Sequence, residues 1–196
     1  MGADYRLNVQ ARIRCNVHAA TYTIWSRSFV LFTWIRRVIY RSQAPEVHRG
    51  IRIASFRPFQ DSDGCFSRCT TSALEYLAHK DHRRLNRVLK YVKHIIDMPL
   101  RTAATYIRQD DLCCVNFRYL RTTFPGEERV LIEFYASLLV HEATHGRLYS
   151  FGSGGGRKRR ERLENICVQE QLRFLKRCGH DELLWKELIA KIRASY

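Results

Sequence analysis

The chain has 196 residues, 45% apolar and 12% aromatic, which suffices for one ordinary core and not for two. Its formal charge of +15 is heaviest in the first 60 residues, with 10 basic and 2 acidic side chains, and favours acidic partners: nucleic acid, anionic lipid or acidic protein segments. Interleaved charged and apolar residues argue against disorder, and the longest apolar run, residues 29–35, is too short to span a bilayer.

The seven cysteines (15, 65, 69, 113, 114, 167 and 178) are an odd number without regular spacing. The first 20 residues carry no apolar leader segment, so the expectation is reduced thiols in a cytoplasmic compartment. Cys65 and Cys69 have the spacing of half a metal site, but no second Cys or His pair follows closely.

Residues 1–45 read as a basic N-terminal extension, with an aromatic and basic stretch over 25–40 that suits a helix or a strand pair. Residues 50–56 alternate apolar and basic side chains and predict a strand. Asp61-Ser62-Asp63-Gly64 predicts a turn. Leu74, Leu77, Ala78, Leu85, Val88, Leu89, Val92 and Ile95 follow helical spacing, with Thr70, Thr71 or Ser72 as the cap and Pro99 closing the region. Residues 113–120 alternate loosely and predict a second strand.

After the break at Phe124-Pro125-Gly126, Glu127-Glu128 opens a helix with the acids that its dipole favours. Leu131, Phe134, Tyr135, Leu138 and Leu139 form its apolar side, His141 and His145 continue that side, and Gly146 stands where a helix C-cap prefers glycine. A glycine-rich connector over 152–156 leads to a helix over 158–176, and a last helix is expected over 181–193. The pattern as a whole predicts a compact α+β domain over 46–196, with a small mixed sheet packed on two long helices.

The chemistry concentrates at His141-Glu142-Ala143-Thr144-His145. Two histidines four apart project from one helix face about a turn apart, suiting adjacent corners of a tetrahedral zinc site. The intervening glutamate is rotated by about 100°, so it can take a proton from a metal-bound water without itself being a ligand. A catalytic zinc needs a third protein ligand and one open position. The elongated pattern wants a third histidine at 151, where Phe151 stands, so the candidates are downstream acids. Glu164 is preferred because the glycine connector lets its helix double back, and Cys167, three residues later, is small enough for close helix approach. Glu161 is the reserve.

His141, His145 and Glu164 in this arrangement resemble the gluzincins, whose third ligand is a glutamate in an E-x-x-(small) pattern on a following helix. The short span is most similar to compact members such as the repressor-cleaving metallopeptidases of mobile elements. The resemblance covers about residues 128–177. Val168 departs from it, because an acidic or polar residue often follows the small one and supports the histidine ligands.

The resemblance implies a zincin-like domain with one zinc ion per chain and peptide-bond hydrolysis, with Glu142 as general base. It also implies an edge strand lining the cleft, for which residues 113–120 are the candidate. Tyr149 and His180 are in range by sequence to stabilise an oxyanion.

Arg157-Lys158-Arg159-Arg160-Glu161-Arg162 opens the Glu164 helix, where each exposed cation opposes the dipole by roughly 0.3–1 kcal/mol. Such a run either frays or binds an anion: an acidic peptide or protein substrate, or nucleic acid. The leading expectation is therefore a zinc metallopeptidase. The alternatives are a nucleic-acid-associated or regulatory protein using the same fold as a binding module, and a structural zinc site without turnover.

Overall fold

Apolar spacing decides where the long elements run, and polar caps decide where they stop. The computed structural model describes residues 46–55, 64–152 and 157–179, with Trp185 and Ile189; all lie in the unit Pro45–Tyr196. The basic extension over 1–45, the turn at 61–63, the connector over 153–156, His180 and the rest of the last expected helix fall outside the described residues.

Among the described residues, five strands form one mixed sheet: β1 (Glu46–His48), β2 (Ile51–Ser55), β3 (His94–Asp97), β4 (Ala104–Ile107) and β5 (Leu112–Val115), in the order β1-β2-β3-β5-β4. β2, β3 and β5 run parallel, whereas β1 and β4 pair antiparallel at the two ends. Five described helices complete the α+β architecture: α1 (Cys65–Lys80), α2 (His82–Tyr91), α3 (Phe117–Thr123), α4 (Glu128–Ser150) and α5 (Arg157–Arg177). Helix α4 is buried along most of its length and packs against α1, α2, α5 and β4. None of the described helices is long and apolar enough to cross a membrane.

The single helical region expected from Thr71 to Ile95 is three elements. α1 begins at Cys65 after Gly64, and Phe66, Cys69, Thr70, Ala73, Leu74 and Leu77 form its buried face. Thr70 is therefore no cap: its hydroxyl donates to the Phe66 carbonyl one turn back (2.8 Å). The break falls at Asp81, whose carboxylate accepts the Arg84 backbone N–H (3.1 Å) and caps α2. Ile95 lies in β3.

The expected strand over 113–120 is also shorter. β5 ends at Val115, and Asn116 caps α3 by accepting the Tyr119 N–H (3.1 Å). β5 is buried at every position and lies between β3 and β4, so it is an interior strand and not the cleft edge. That edge is β4.

Gly146 does not end its helix. α4 continues through Ser150, Phe151 is its C-cap, and Gly152 follows in the left-handed conformation (φ +73°) that helix ends favour in glycine. Gly146 is instead a point of close approach. A Cβ there would lie 2.8 Å from Tyr91 Cβ and 2.9 Å from the Tyr106 hydroxyl, so the missing side chain lets α2 and β4 close on α4 beside the histidines.

Candidate metal centre

His141, Glu142 and His145 lie in the second half of α4, and Glu164, Cys167 and Gln171 lie on one face of α5 opposite them. Spacings of three and seven residues keep those α5 side chains in line along the helix. The two Nε2 atoms of His141 and His145 are 3.2 Å apart. Glu164 Oε1 lies 3.3 Å from His141 Nε2, and Glu164 Oε2 lies 3.1 Å from His145 Nε2. For zinc at 2.0–2.2 Å from nitrogen and oxygen, adjacent corners of a tetrahedron are roughly 3.3–3.6 Å apart. The three side chains stand close to the spacing of one face of such a site, at its short end.

A hydrogen-bond chain fixes which nitrogen of His141 faces that point. The Ser137 hydroxyl donates to the Phe134 carbonyl (2.7 Å), so its lone pair accepts the Gln171 amide N–H (3.0 Å). The Gln171 oxygen is then turned toward His141 Nδ1 (3.2 Å), which must donate to it. His141 Nε2 is left with a lone pair toward Glu164 and His145, as metal ligation requires. Gln171 supplies, two turns after Glu164, the polar support that Val168 does not.

His145 is held differently. Its Nδ1 is buried with no hydrogen-bond partner among the described residues, and its ring is stacked on Tyr149 (centroids 5.8 Å apart). Tyr149 in turn stacks on Tyr106 of β4 (6.3 Å), which ties the edge strand to the histidine. The Tyr106 hydroxyl also reaches Asp111 Oδ1 (2.7 Å) and the Tyr91 carbonyl (2.8 Å).

The electrostatics favour positive charge on His145. Burial alone would lower the His145 pKa, but the Cys167 sulfur, the Glu164 carboxylate and the Glu142 charge outweigh it and hold His145 at about 11. Burial pushes the Glu142 carboxyl above its ordinary range, and the nearby Glu164 charge adds to this against the pull of both histidines. A raised carboxyl is what a general base working near neutral pH needs.

These residues line a cleft of about 440 Å³, a size ordinary for ligand sites. Thr102 to Tyr106, the apolar side chains of Phe134, Leu138, Val168 and Ile189, and Tyr149 and Arg160 complete its lining. A larger cleft, about 940 Å³, lies elsewhere under Arg68, Arg118 and Arg121. Among the described residues it gathers no set of three converging ligand atoms, so chemistry and not size selects the smaller one.

Of the residues expected at the site, the structure brings His141, Glu142, His145, Glu164 and Tyr149 together. Glu161 is exposed and is not among the cleft residues. Two further residues belong here. Cys167 is fully buried, and its sulfur and the ligand atoms of both histidines all lie within 4.8 Å of one another. Gln171 is the other. Both had a usable signal, since they share the helix face of Glu164. No family model matches the chain, and no curated protein or solved structure matches it either.

Proposed function

We propose that the chain is a zinc-dependent hydrolase of the metallopeptidase type, with His141, His145 and Glu164 holding the ion. The observation that carries this reading is the triangle of 3.1–3.3 Å separations among two imidazole nitrogens and a carboxylate, with the Glu142 carboxyl buried in the same cleft. A zinc ion in such a set supplies a water of lowered pKa and polarises a carbonyl oxygen.

The chain's own groups do the rest. Gln171 holds the His141 tautomer, and Tyr149 holds the His145 ring. Glu142 accepts the proton of the attacking water and returns it to the leaving amine. The Tyr149 hydroxyl is the candidate donor to the oxyanion. Among the described residues β4 pairs only with β5, so its outer edge offers backbone groups to an extended peptide, as strand addition requires. Arg160 beside Glu164 favours a substrate with an acidic group nearby.

Glu142→Gln tests the reading. It is expected to keep the metal and to lower peptide hydrolysis by about 10²–10⁴-fold. Cleavage of a mixed fluorogenic peptide set that the substitution leaves unchanged would remove Glu142, and hydrolysis at this site, from the account.

A second reading rests on the larger cleft, where Arg68, Arg118 and Arg121 outnumber Asp97 and Glu128: a nucleic-acid-associated or regulatory protein in which the metal site is structural. Its mark would be RNA or DNA binding that weakens steeply with salt and is indifferent to Glu142→Gln.

A further inference from the structure

Resting on that metal site, we propose that Cys167 is a fourth protein ligand and that Glu164 is the ligand that gives way when substrate arrives. The sulfur lies within 4.8 Å of the ligand atoms of both histidines, one helical turn beyond Glu164 on the same face of α5. A set of four protein donors closes a zinc site, whereas a catalytic site keeps one position open. The two α5 donors differ in the property that decides which one can leave. Cys167 is 0% exposed between α4 and α5, while the Glu164 side chain is 39% exposed and lines the cleft.

The thiolate is thus the fixed anchor, and the carboxylate is the exchangeable one. When the metal–sulfur bond forms, the thiol S–H bond breaks and its proton passes to water. No oxidant is involved. A sulfur donor biases the site toward zinc and cobalt over magnesium or manganese. It also keeps the ion bound while Glu164 is turned away, so that opening the site for catalysis does not release the metal.

Cobalt(II) loaded into the full chain reads the coordination directly. The native chain is expected to show the visible bands of tetrahedral cobalt together with a near-ultraviolet sulfur-to-cobalt charge-transfer band. Cys167→Ser is expected to keep the visible bands and lose the sulfur band completely. Glu164→Gln is expected to keep both.

Bound cobalt without a sulfur band, or a band that survives Cys167→Ser, overturns the proposal and leaves the metal site standing. If no cobalt binds, or if binding is unaffected by His145→Ala, the metal site fails and the proposal with it. Should Cys167→Ser not fold, zinc-edge X-ray absorption of the native chain decides: one sulfur neighbour per zinc is expected, and none overturns the proposal.

Discussion

Two glutamates on α5, Glu164 and Glu170, sit less than two turns apart and meet opposite surroundings. Glu170 is gripped by arginines: Arg87 Nη1 and Arg173 Nη1 each lie 2.8 Å from it, and Arg84 Nη2 lies 3.4 Å away. Arg84 continues to Asp81, which Arg177 also reaches (2.9 Å). Glu164 instead faces the imidazoles of His141 and His145, and His145, held at about 11, supplies its countercharge in the metal-free chain as a proton. One carboxylate has a permanent countercharge, and the other has one that a metal ion could replace. The difference separates an ion pair that holds helices together from the proposed cation site. The two are linked, because Arg87 also donates to Thr144 (3.1 Å), the residue just before His145.

The largest expected contrast comes from removing each charge in turn. Glu170→Gln takes the shared carboxylate from Arg84, Arg87 and Arg173, leaving Arg84 only Asp81 and Arg87 only the Thr144 hydroxyl, and is expected to cost about 3 kcal/mol of stability, read by urea denaturation, with metal binding kept. Glu164→Gln is expected to cost the metal-free chain clearly less than that, because the Glu164 side chain is 39% exposed, and to weaken zinc affinity. Equal stability losses in the two variants would erase the distinction.

The next effect sharpens the site alone. Gln171→Ala frees the His141 ring and is expected to weaken zinc affinity by about 10–100-fold, measured by competition with a chelating dye. Gly146→Ala tests the packing beside it. The added methyl gains about 1 kcal/mol of helix propensity but meets Tyr91 Cβ at 2.8 Å, so a net loss of about 1–2 kcal/mol is expected.

The smallest effect is in pH, and the two regions move in opposite directions. Burial would raise the Asp81 and Glu170 pKa values, but hydrogen bonds from Arg177, Arg84, Arg87 and Arg173 outweigh it and hold them below the ordinary 3.8 and 4.5. Their stabilisation is present above those values and is lost as pH falls through the depressed ones. Glu142 is raised above 4.5, so in the metal-free chain it costs stability above that pH and costs nothing below it. Metal-free Glu142→Gln should therefore be more stable than the native chain near pH 7, and the difference should vanish below about pH 4.5. A difference that persists into acid would contradict this assignment.

What was legible in the sequence was local. His141, Glu142 and His145 share one strongly periodic helix, and Glu164 falls on the next, so a 3.6-residue period placed all four. Where two rules competed, the nearer signal misled. Gly146 looked like a C-cap, but the glycine that ends α4 is Gly152, and Gly146 is kept small by Tyr91 and Tyr106, which come from distant segments. Asp81 and Asn116 carried cap signals that divide a supposed helix and shorten a supposed strand. The edge strand could not be read at all, because strand order depends on pairings across the sheet. Cys167 passed as a small residue, since spacing alone does not show that its sulfur faces the histidines.

The central claim is that α4 and α5 converge on a metal ion, and elemental analysis of the chain purified without chelator tests it most directly. The account predicts one zinc per chain in the native protein and none in a folded His145→Ala variant. A native chain free of metal, or a zinc content that His145→Ala leaves unchanged, would contradict it.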